Sequence, residues 1–289
     1  MNNLIDKTQE QLIKYSLKYY KLVHKRECDI LHPRLFTEKI QWYTFHYNNP
    51  LCPYIVDKIS FKDYIKSKLG DGYTIPLIAL WKSVQEFEES WKDLPQEFCL
   101  KSNLSSDGKN IRIIHDKSNV NFHELKKEVS EWFLPENTNI NSLARNFYNR
   151  TPMVFAEEYM SNFEDQLYDY KFFCFNGKPT FMYVAIEHFK SESCETYPIS
   201  FYDIDWNRLD VSYGHHPQAR IVPCPNHFDE MKSLAAELSK DFPFVRVDFF
   251  DTGKKLYIAE LTFNPGGGFI PYHPIEFDEY MGSLFTLPI

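Results

Sequence analysis

The fold of the chain is indicated by two runs near its end, Phe244-Val245-Arg246-Val247-Asp248-Phe249-Phe250 and Leu256-Tyr257-Ile258-Ala259-Glu260-Leu261-Thr262. Both runs are rich in aromatic and β-branched residues. Asp251-Thr252-Gly253-Lys254 between them has the composition of a turn, so we expect a β-hairpin. The second run continues into Asn264-Pro265-Gly266-Gly267-Gly268.

The register of this hairpin determines which charged side chains share a face. If Thr252-Gly253-Lys254 is a three-residue loop, Asp251 lies opposite Lys255, and one face of the hairpin carries Arg246, Asp248, Ile258 and Glu260. A two-residue loop would place them on different faces. On the shared face Asp248 and Glu260 are diagonal neighbours, roughly 7–8 Å apart at the backbone, a separation that two carboxylates can close around hard cations.

Arg246 adds a fixed positive charge beside these carboxylates. Two oxygen anions, a guanidinium and a nearby glycine run suit Mg²⁺ and a transferring phosphoryl group. An exposed hairpin with incidental charges is the alternative interpretation of the same residues.

Composition excludes several classes of protein. The 289-residue chain has a formal net charge of -8 and no long basic run, which argues against a nucleic-acid partner. No stretch reaches the length of an apolar membrane span, and the N-terminus lacks the basic start and apolar core of a signal peptide. We therefore expect a cytoplasmic protein without a membrane span. Its six cysteines include no Cys-x-x-Cys pair, which indicates reduced thiols.

Helical and strand-like segments intermingle along the chain. Amphipathic composition predicts helices over residues 6–20, 58–69 and 122–133. Asn176-Gly177 between two apolar runs is typical of a hairpin turn. Because β and α segments do not alternate regularly, the pattern favours an α+β fold over a doubly wound sheet.

Groups that suit a triphosphate occur earlier in the chain. A predicted strand ends at Lys101 and is followed by the polar segment 102–109, which can lay backbone N–H groups and an ammonium against phosphates. This segment is not a Walker loop, because the Gly-Lys-Ser/Thr ending is missing. Asp57-Lys58 opens an earlier helix, and residues 155–160 suit a strand whose backbone reads an adenine edge.

The order of these blocks resembles the ATP-grasp superfamily. More narrowly, the chain is similar to the TupA-like ATP-grasp family of teichuronopeptide and capsular or exopolysaccharide biosynthesis. The similarity runs from about Thr37 to Gly282 and is carried by Thr37-Glu38-Lys39-Ile40-Gln41-Trp42, Asp57-Lys58, Asp169-Tyr170-Lys171 with the residues up to Gly177, and the Arg246 hairpin with its glycine tail. It implies two α+β lobes that sandwich ATP, divided as a helical N-terminal region 1–72, a small lobe 73–155 and a large lobe 156–289.

The resemblance also implies roles for individual positions. The ATP-binding positions are Lys58 and Lys101 at the phosphates, Ser105, Ser106 and Gly108 in the phosphate loop, and Glu157, Glu158, Tyr159 and Met160 at the adenine. The catalytic positions are Lys171, facing the phosphates, and Arg246, which stabilises the transferring phosphoryl. Asp248 and Glu260 match the carboxylates that bind magnesium, with two ions expected, and the remaining ligand is Thr262 or Asn264.

The implied activity is that of an ATP-dependent carboxylate–amine ligase that forms an amide through an acyl phosphate. By the same resemblance, the acid is a uronic acid of a surface polysaccharide or its precursor, and the amine is an amino acid or a small amine. Two alternatives stay open: a metal-dependent glycosyltransferase that uses Asp203 and Asp205, and a catalytically silent ATP-binding module.

Overall fold

A computed structural model of the chain describes residues 7–105, 110–134, 143, 150–160, 166–188 and 197–288. These residues form two compact units. Unit 1 contains the described residues of 50–160, and unit 2 contains residues 7–49 with the described residues of 161–289. The division into 1–72, 73–155 and 156–289 stays a prediction.

Eight helices lie in the described part of the chain. They are α1 (Gln9–His24), α2 (Phe36–His46), α3 (Leu51–Val56), α4 (Lys58–Leu69), α5 (Val84–Ser90), α6 (Phe122–Trp132), α7 (Phe228–Ser239) and α8 (Ile275–Leu284). The predicted helices over 58–69 and 122–133 are confirmed, and the first helix begins and ends later than the predicted 6–20. None of these helices is long and apolar enough to cross a membrane.

Local capping explains where two of these helices begin. Thr8 precedes α1, accepts a hydrogen bond from the Gln11 backbone and donates its own N–H to the Gln11 side chain, which is a complete capping box. Asp57 precedes α4 and accepts hydrogen bonds from the N–H groups of Ile59 and Ser60. Asp57 therefore fixes the start of the helix that carries Lys58.

Unit 1 is built on a four-stranded antiparallel sheet. In spatial order its strands are β1 (Leu77–Trp81), β4 (Val154–Glu157), β2 (Phe98–Ser102) and β3 (Ile111–Ile114). Large side chains of the sheet and of α5 and α6 form one core, which includes Trp81, Phe87, Phe98, Leu125 and Trp132. Burying each leucine or phenylalanine side chain of this core contributes about 1.5–3 kcal/mol to the stability of the unit.

Unit 2 is built on a six-stranded antiparallel sheet. In spatial order its strands are β11 (Leu256–Thr262), β10 (Phe244–Asp251), β5 (Gln166–Phe175), β6 (Lys178–His188), β7 (Ile199–Asp203) and β8 (Arg208–Leu209). The β5–β6 turn is the predicted Asn176-Gly177, with positive φ at both residues. The two antiparallel sheets with segregated helices confirm the α+β class.

The two faces of this sheet are covered differently. Helix α7 packs on one face, where the rings of Phe172 and Phe228 lie 6.0 Å apart. Helices α2 and α8 cover part of the other face, where Phe36 contacts Phe173 and Phe277 contacts Phe181. A short antiparallel pair, β9 (Ser212–Tyr213) with β12 (Tyr272–His273), completes the unit.

Candidate functional site

The β10–β11 hairpin has a different turn from the predicted one. Asp251 pairs with Leu256, not Lys255, and the N–H of Thr252 donates to the carbonyl of Lys255 at 3.1 Å. The loop therefore consists of Gly253 and Lys254, with Gly253 at a φ of +75° that glycine adopts easily. The predicted three-residue loop is wrong.

A bulge restores the shared face that a two-residue loop would otherwise divide. The register shifts between Asp248 and Phe249, and Ala259 is the extra residue on β11. Asp248 consequently pairs directly with Glu260, rather than diagonally as predicted. Ile258 pairs with Phe249 and lies on the opposite face from Asp248, so its predicted place beside the carboxylates is also wrong.

Four polar side chains form a row across four adjacent strands. Tyr183 of β6 pairs with Lys171 of β5, Lys171 pairs with Asp248 of β10, and Asp248 pairs with Glu260 of β11. Paired residues in antiparallel strands point to the same face with Cβ atoms about 4.5–5.5 Å apart. The sheet therefore brings together three site residues that are distant in sequence.

Asp248 is bound by two cations. Arg246 donates from Nε to Oδ1 at 2.7 Å and from Nη2 to Oδ2 at 2.6 Å, and Lys171 donates to Oδ2 at 2.9 Å. Lys171 also forms an ion pair with Asp169, two residues earlier on its strand. Asp248 is 1% exposed, Lys171 7% and Arg246 8%.

These contacts keep all three groups charged despite their burial. Burial disfavours the ionised Asp248, but Arg246 and Lys171 outweigh it and lower the pKa of this carboxyl below its ordinary value. Burial likewise opposes the charged lysine, but Asp169 and Asp248 raise the pKa of Lys171 well above its ordinary value. The site thus holds fixed charges of both signs.

The other predicted metal ligands have different surroundings. Glu260 is exposed, and Thr262 accepts a hydrogen bond from Arg246 Nη2 at 3.1 Å. Asn264 donates to the hydroxyl of Thr44 on α2 at 2.7 Å. No group of three or more His, Cys, Asp or Glu side chains in the described residues is placed to hold a metal ion.

The donor chemistry of Asp248 and Glu260 nevertheless fits magnesium. Mg²⁺ takes oxygen ligands and is commonly bound by only one or two carboxylates, with the remaining positions filled by water and phosphate oxygens. Asp248 and Glu260, which pair directly across the hairpin, supply these two carboxylates. The hydroxyl of Thr262 is a further oxygen beside the Arg246 guanidinium.

The glycine run after β11 forms a tight turn over Pro265–Gly268. The turn is held by α1 and α2: Gln41 donates to the carbonyl of Gly267, and Nε2 of His24 contacts the carbonyl of Gly268 at 3.1 Å. Burial lowers the pKa of His24 to about 4, so the ring is neutral and Nε2 is the donor. The sequence contained no local signal for these contacts, because the partners are more than 200 residues apart.

Unit 1 contains a second charged cluster, centred on Glu157 at the end of β4. Lys101 of β2 forms an ion pair with Oε1 of Glu157, and Lys62 of α4 donates to Oε2 at 2.9 Å. Burial disfavours the ionised carboxylate, but the two lysines outweigh it and lower the pKa of Glu157. Lys62 was not predicted as a site residue, because a lysine on an amphipathic helix is ordinarily solvated.

Lys58 lies beside the loop that follows β2. Its ammonium donates to the carbonyl of Ser105, and its N–H donates to the carbonyl of Asn103 at 3.3 Å. The Asn103 side chain in turn donates to Asp57 at 2.7 Å. Lys58 and Ser105 are therefore neighbours, whereas the predicted Ser106 and Gly108 lie outside the described residues.

The three residues after Glu157 differ in exposure. Glu158 is exposed and its N–H donates to the carbonyl of Pro76 at 3.1 Å. The ring of Tyr159 packs edge-on against His115, with centroids 4.9 Å apart, and Met160 is half-buried. Of the two adjacent glutamates, only Glu157 points into the charged cluster of unit 1.

Asp203 and Asp205 were the candidate metal ligands of the alternative glycosyltransferase, but Asp203 stabilises a turn. Its carboxylate accepts hydrogen bonds from the N–H groups of Asp205 and Asn207 and from the Asn207 side chain. Burial opposes ionisation, but the hydrogen bonds from Asn207 and Asp205 together outweigh it and lower the pKa of Asp203. This pattern is an Asx turn, which accounts for the motif without a metal.

Several solved ligase structures are similar to the chain at low identity. D-alanine–D-alanine ligase from Bacillus anthracis is 16% identical with a TM-score of 0.41, over 73% of this chain and 57% of that one. Phosphoribosylamine–glycine ligase from Thermotoga maritima is 12% identical with a TM-score of 0.43, over 75% and 50%. N5-carboxyaminoimidazole synthetase from Staphylococcus aureus, complexed with ADP, is 16% identical with a TM-score of 0.42, over 81% and 53%.

The chain thus spans about half the length of these solved structures. No curated protein matches it at a significant level. The family relationship is clear, however, because the model of the TupA-like ATP-grasp family matches residues 38–286, which is most of the sequence. The chain belongs to the TupA-like ATP-grasp family.

Proposed function

We propose that the chain is an ATP-dependent carboxylate–amine ligase. The observation that carries this proposal is the row of Lys171, Asp248 and Glu260 on one sheet face, with Arg246 bound to Asp248. Membership of the ATP-grasp family supports it, and so does the lysine cluster around Glu157 in unit 1.

In the proposed reaction, ATP phosphorylates the substrate carboxylate. The carboxylate oxygen attacks the γ-phosphorus, the bond to the β-phosphate oxygen breaks, and ADP leaves. Arg246 and Lys171 would offset the negative charge that develops on the transferring phosphoryl. Asp248 and Glu260 would hold Mg²⁺, with Thr262 or Asn264 as the further ligand, and the metal supplies charge neutralisation and orientation of the phosphates.

The amine then attacks the acyl phosphate, and phosphate leaves as the amide forms. Unit 1 supplies the proposed nucleotide contacts. Lys58 and Lys101 bind phosphates with the loop residues Ser105, Ser106 and Gly108, and the segment Glu158, Tyr159 and Met160 holds adenine. ATP as a substrate is consistent with a cytoplasmic reaction.

For the substrates we propose a uronic acid of a surface polysaccharide, or its precursor, and an amino acid or small amine. Their support is the resemblance to the family. Isotopically labelled glucuronate-containing acceptors, a panel of amines, Mg²⁺ and ATP should yield an amide product that mass spectrometry identifies.

The decisive experiment follows the nucleotide product. A ligase of this type releases ADP and phosphate in equal amounts with amide, and hydroxylamine should trap the acyl phosphate as a hydroxamate. Release of AMP would contradict the mechanism. ATP binding without turnover on any acceptor would favour a silent ATP-binding module, and turnover of a nucleotide sugar alone would favour a glycosyltransferase.

A further inference from the structure

Three large apolar side chains are exposed along one side of α1. Tyr15 is 50% exposed, Tyr19 43% and Leu22 62%. Their spacing of four and then three residues places them in line on the helix surface, and we call this group the apolar strip. Single exposed apolar residues are ordinary, but a continuous group of them marks an interaction surface.

A strip of exposed lysines runs beside the apolar strip. Its members lie on α1 or, for the last one, just past the end of the helix: Lys14, Lys18, Lys21 and Lys25. The first three each directly precede a member of the apolar strip, and successive helical residues are turned by roughly 100°, so the two strips are adjacent. Lys14 is paired with Glu10 at 2.7 Å and Lys21 with Glu27, but ion pairs as exposed as these are weak. The lysine strip can therefore bind another anion.

The opposite side of α1 already has a partner. Leu12, Ser16 and Tyr20 are buried there. Ser16 donates to the side chain of Gln41, and the hydroxyls of Tyr20 and Thr37 lie 2.9 Å apart, so two hydrogen bonds attach α1 to α2. Packing within unit 2 thus leaves both strips on the exposed side of the helix.

The two strips fit the surface of an anionic lipid bilayer. A convex helix surface offers no cleft for a small molecule, because sites for small molecules are concave. At a bilayer, tyrosine and leucine side chains enter the boundary between head groups and acyl chains, and lysines beside them reach the lipid phosphates. An anionic polysaccharide would satisfy the lysines but would leave Leu22 in water.

The acidic composition of the whole chain does not prevent this contact. Each lysine close to an anionic bilayer contributes about 1 kcal/mol. The formal net charge of -8 opposes binding only weakly, because charges beyond the Debye length of about 8–10 Å are largely screened.

We propose that α1 is a peripheral membrane-binding helix that lies along an anionic bilayer, with the apolar strip in the head-group region and the lysine strip at the phosphates. The inference is independent of the proposed function, because it uses no nucleotide, metal or acceptor. The ring of Tyr19 packs edge-on against Phe269 with centroids 4.9 Å apart, and Phe269 directly follows the glycine turn Pro265–Gly268. The membrane-binding surface is therefore adjacent to the glycine turn.

Co-sedimentation of the full chain with lipid vesicles tests the proposal. The wild type should bind vesicles of phosphatidylcholine with about one third phosphatidylglycerol, and pure phosphatidylcholine at least about tenfold more weakly, because the lysines contribute only at an anionic surface. Raising the salt concentration should release the wild type from the anionic vesicles.

Substitutions in each strip should weaken this binding separately. Lys18→Gln/Lys25→Gln should weaken binding to the anionic vesicles by roughly tenfold or more, since two positive charges are lost. Leu22→Ser should weaken it by at least about fivefold, because an apolar side chain no longer enters the bilayer. These side chains are exposed, so both variants should remain folded, which circular dichroism checks.

Matched controls make the same changes away from α1. Lys82→Gln/Lys127→Gln removes two exposed lysines of unit 1, and Ile221→Ser replaces an exposed apolar residue of unit 2. Both should bind the anionic vesicles within about twofold of the wild type, because neither changes a strip that contacts the lipid.

Absence of binding to the anionic vesicles at low salt would overturn the inference, and so would equal losses in the α1 variants and their controls. Binding to soluble polygalacturonate without binding to vesicles would overturn it in favour of an anionic polysaccharide. A dimer that Leu22→Ser dissociates, in a chain that ignores vesicles, would overturn it in favour of a second copy of the chain.

Discussion

Arg246 binds the carboxylate of Asp248 through two hydrogen bonds, although the two residues lie on one strand with a single residue between them. Residues at i and i+2 of a strand share a face, which makes this side-by-side geometry possible. Lys171 of the neighbouring strand adds a third bond. Both carboxylate oxygens of Asp248 therefore accept hydrogen bonds from cationic side chains, and a metal ion would have to compete with these donors.

Removing the arginine should make the carboxylate available to a metal. We expect Arg246→Met to bind Mn²⁺, used as a probe for Mg²⁺, at least about fivefold more tightly than the wild type in the absence of nucleotide, because a cation that competes for Asp248 is lost. Electron paramagnetic resonance of free Mn²⁺ measures this affinity directly.

The control for metal binding is Arg246→Met/Asp248→Asn, which lacks the competing guanidinium and the carboxylate together. It should lose the additional Mn²⁺ affinity. Equal Mn²⁺ binding by the wild type and Arg246→Met would show that the Arg246 contacts do not compete with a metal.

The two paired carboxylates should differ in their effect on stability. Asp248 is buried between two cations, so Asp248→Asn leaves them poorly compensated and should lower the free energy of unfolding by roughly 3–5 kcal/mol. Glu260 is exposed, so Glu260→Gln should change the free energy of unfolding by less than about 0.5 kcal/mol. Urea denaturation measures both values.

Both substitutions should nevertheless abolish ADP release, because each removes a proposed metal ligand. Asp205→Asn is the comparison variant and should keep turnover. Full turnover by Glu260→Gln, or loss of turnover only on changing Asp203 and Asp205, would contradict the assignment of the hairpin.

The sequence predicted the shared face of Arg246, Asp248 and Glu260 but not the way in which it arises. Alternation within each strand is local and readable, whereas the extra residue at Ala259 has no compositional signal. The predicted loop and the missed bulge each change the register by one residue. The two errors cancel at Glu260, which therefore lies on the predicted face. They do not cancel at Ile258, because it lies between the turn and the bulge and is shifted by the turn alone.

The sequence also could not predict which distant segments contact each other. Lys62 has the sequence environment of a surface lysine, and its burial depends on where β4 ends. The helices that hold the glycine turn likewise precede it by more than 200 residues. Periodicity predicts which face of an element is apolar, but it does not predict which element that face meets.

The glycine turn should be sensitive to a single methyl group at Gly268. Its φ is +71°, and an added Cβ would lie 2.7 Å from the carbonyl oxygen of Thr37 on α2. Gly268→Ala should lower the free energy of unfolding by about 2–4 kcal/mol, from left-handed strain together with a backbone clash. Chemical denaturation of the variant checks this value.

Gly253→Ala is a control that introduces the backbone strain of a positive φ without a steric clash. Gly253 also has a positive φ, of +75°, but an added Cβ would meet no atom within 4 Å. This variant should lose only about 1 kcal/mol. Equal losses at the two positions would mean that the contact with Thr37 contributes nothing.

His24 should make the stability of the chain depend on pH. Burial lowers its pKa to about 4, below the ordinary value of 6.5, so the unfolded chain binds more protons between these values. Stability contributed by the neutral ring is complete above pH 6.5 and is lost as the pH falls towards 4. With allowance for partial exposure, we expect a loss on the order of 1–2 kcal/mol.

His24→Gln should remove this part of the pH dependence while retaining a side chain that can donate to Gly268. The exposed His32 is the matched control, and His32→Gln should leave the profile unchanged. The measurement is urea unfolding at intervals from pH 4.5 to 7.5. A His24→Gln profile parallel to that of the wild type would contradict the prediction.

The guanidinium of Arg246 should matter for its shape as well as its charge. It donates to Asp248 from two nitrogens and to Thr262 and Tyr183 as well, a pattern that an ammonium on a flexible stem cannot reproduce. Arg246→Lys should therefore lower kcat by roughly 100-fold or more, comparable to the loss of one donor that stabilises a transition state, and change ATP affinity by less than about threefold.

Lys255→Arg, at the exposed end of the hairpin, is the control for an exchange between lysine and arginine. Single-turnover ADP formation with calorimetric ATP binding separates the two quantities, and an Arg246→Lys enzyme with unchanged kcat would rule out a role for the planar group in phosphoryl transfer.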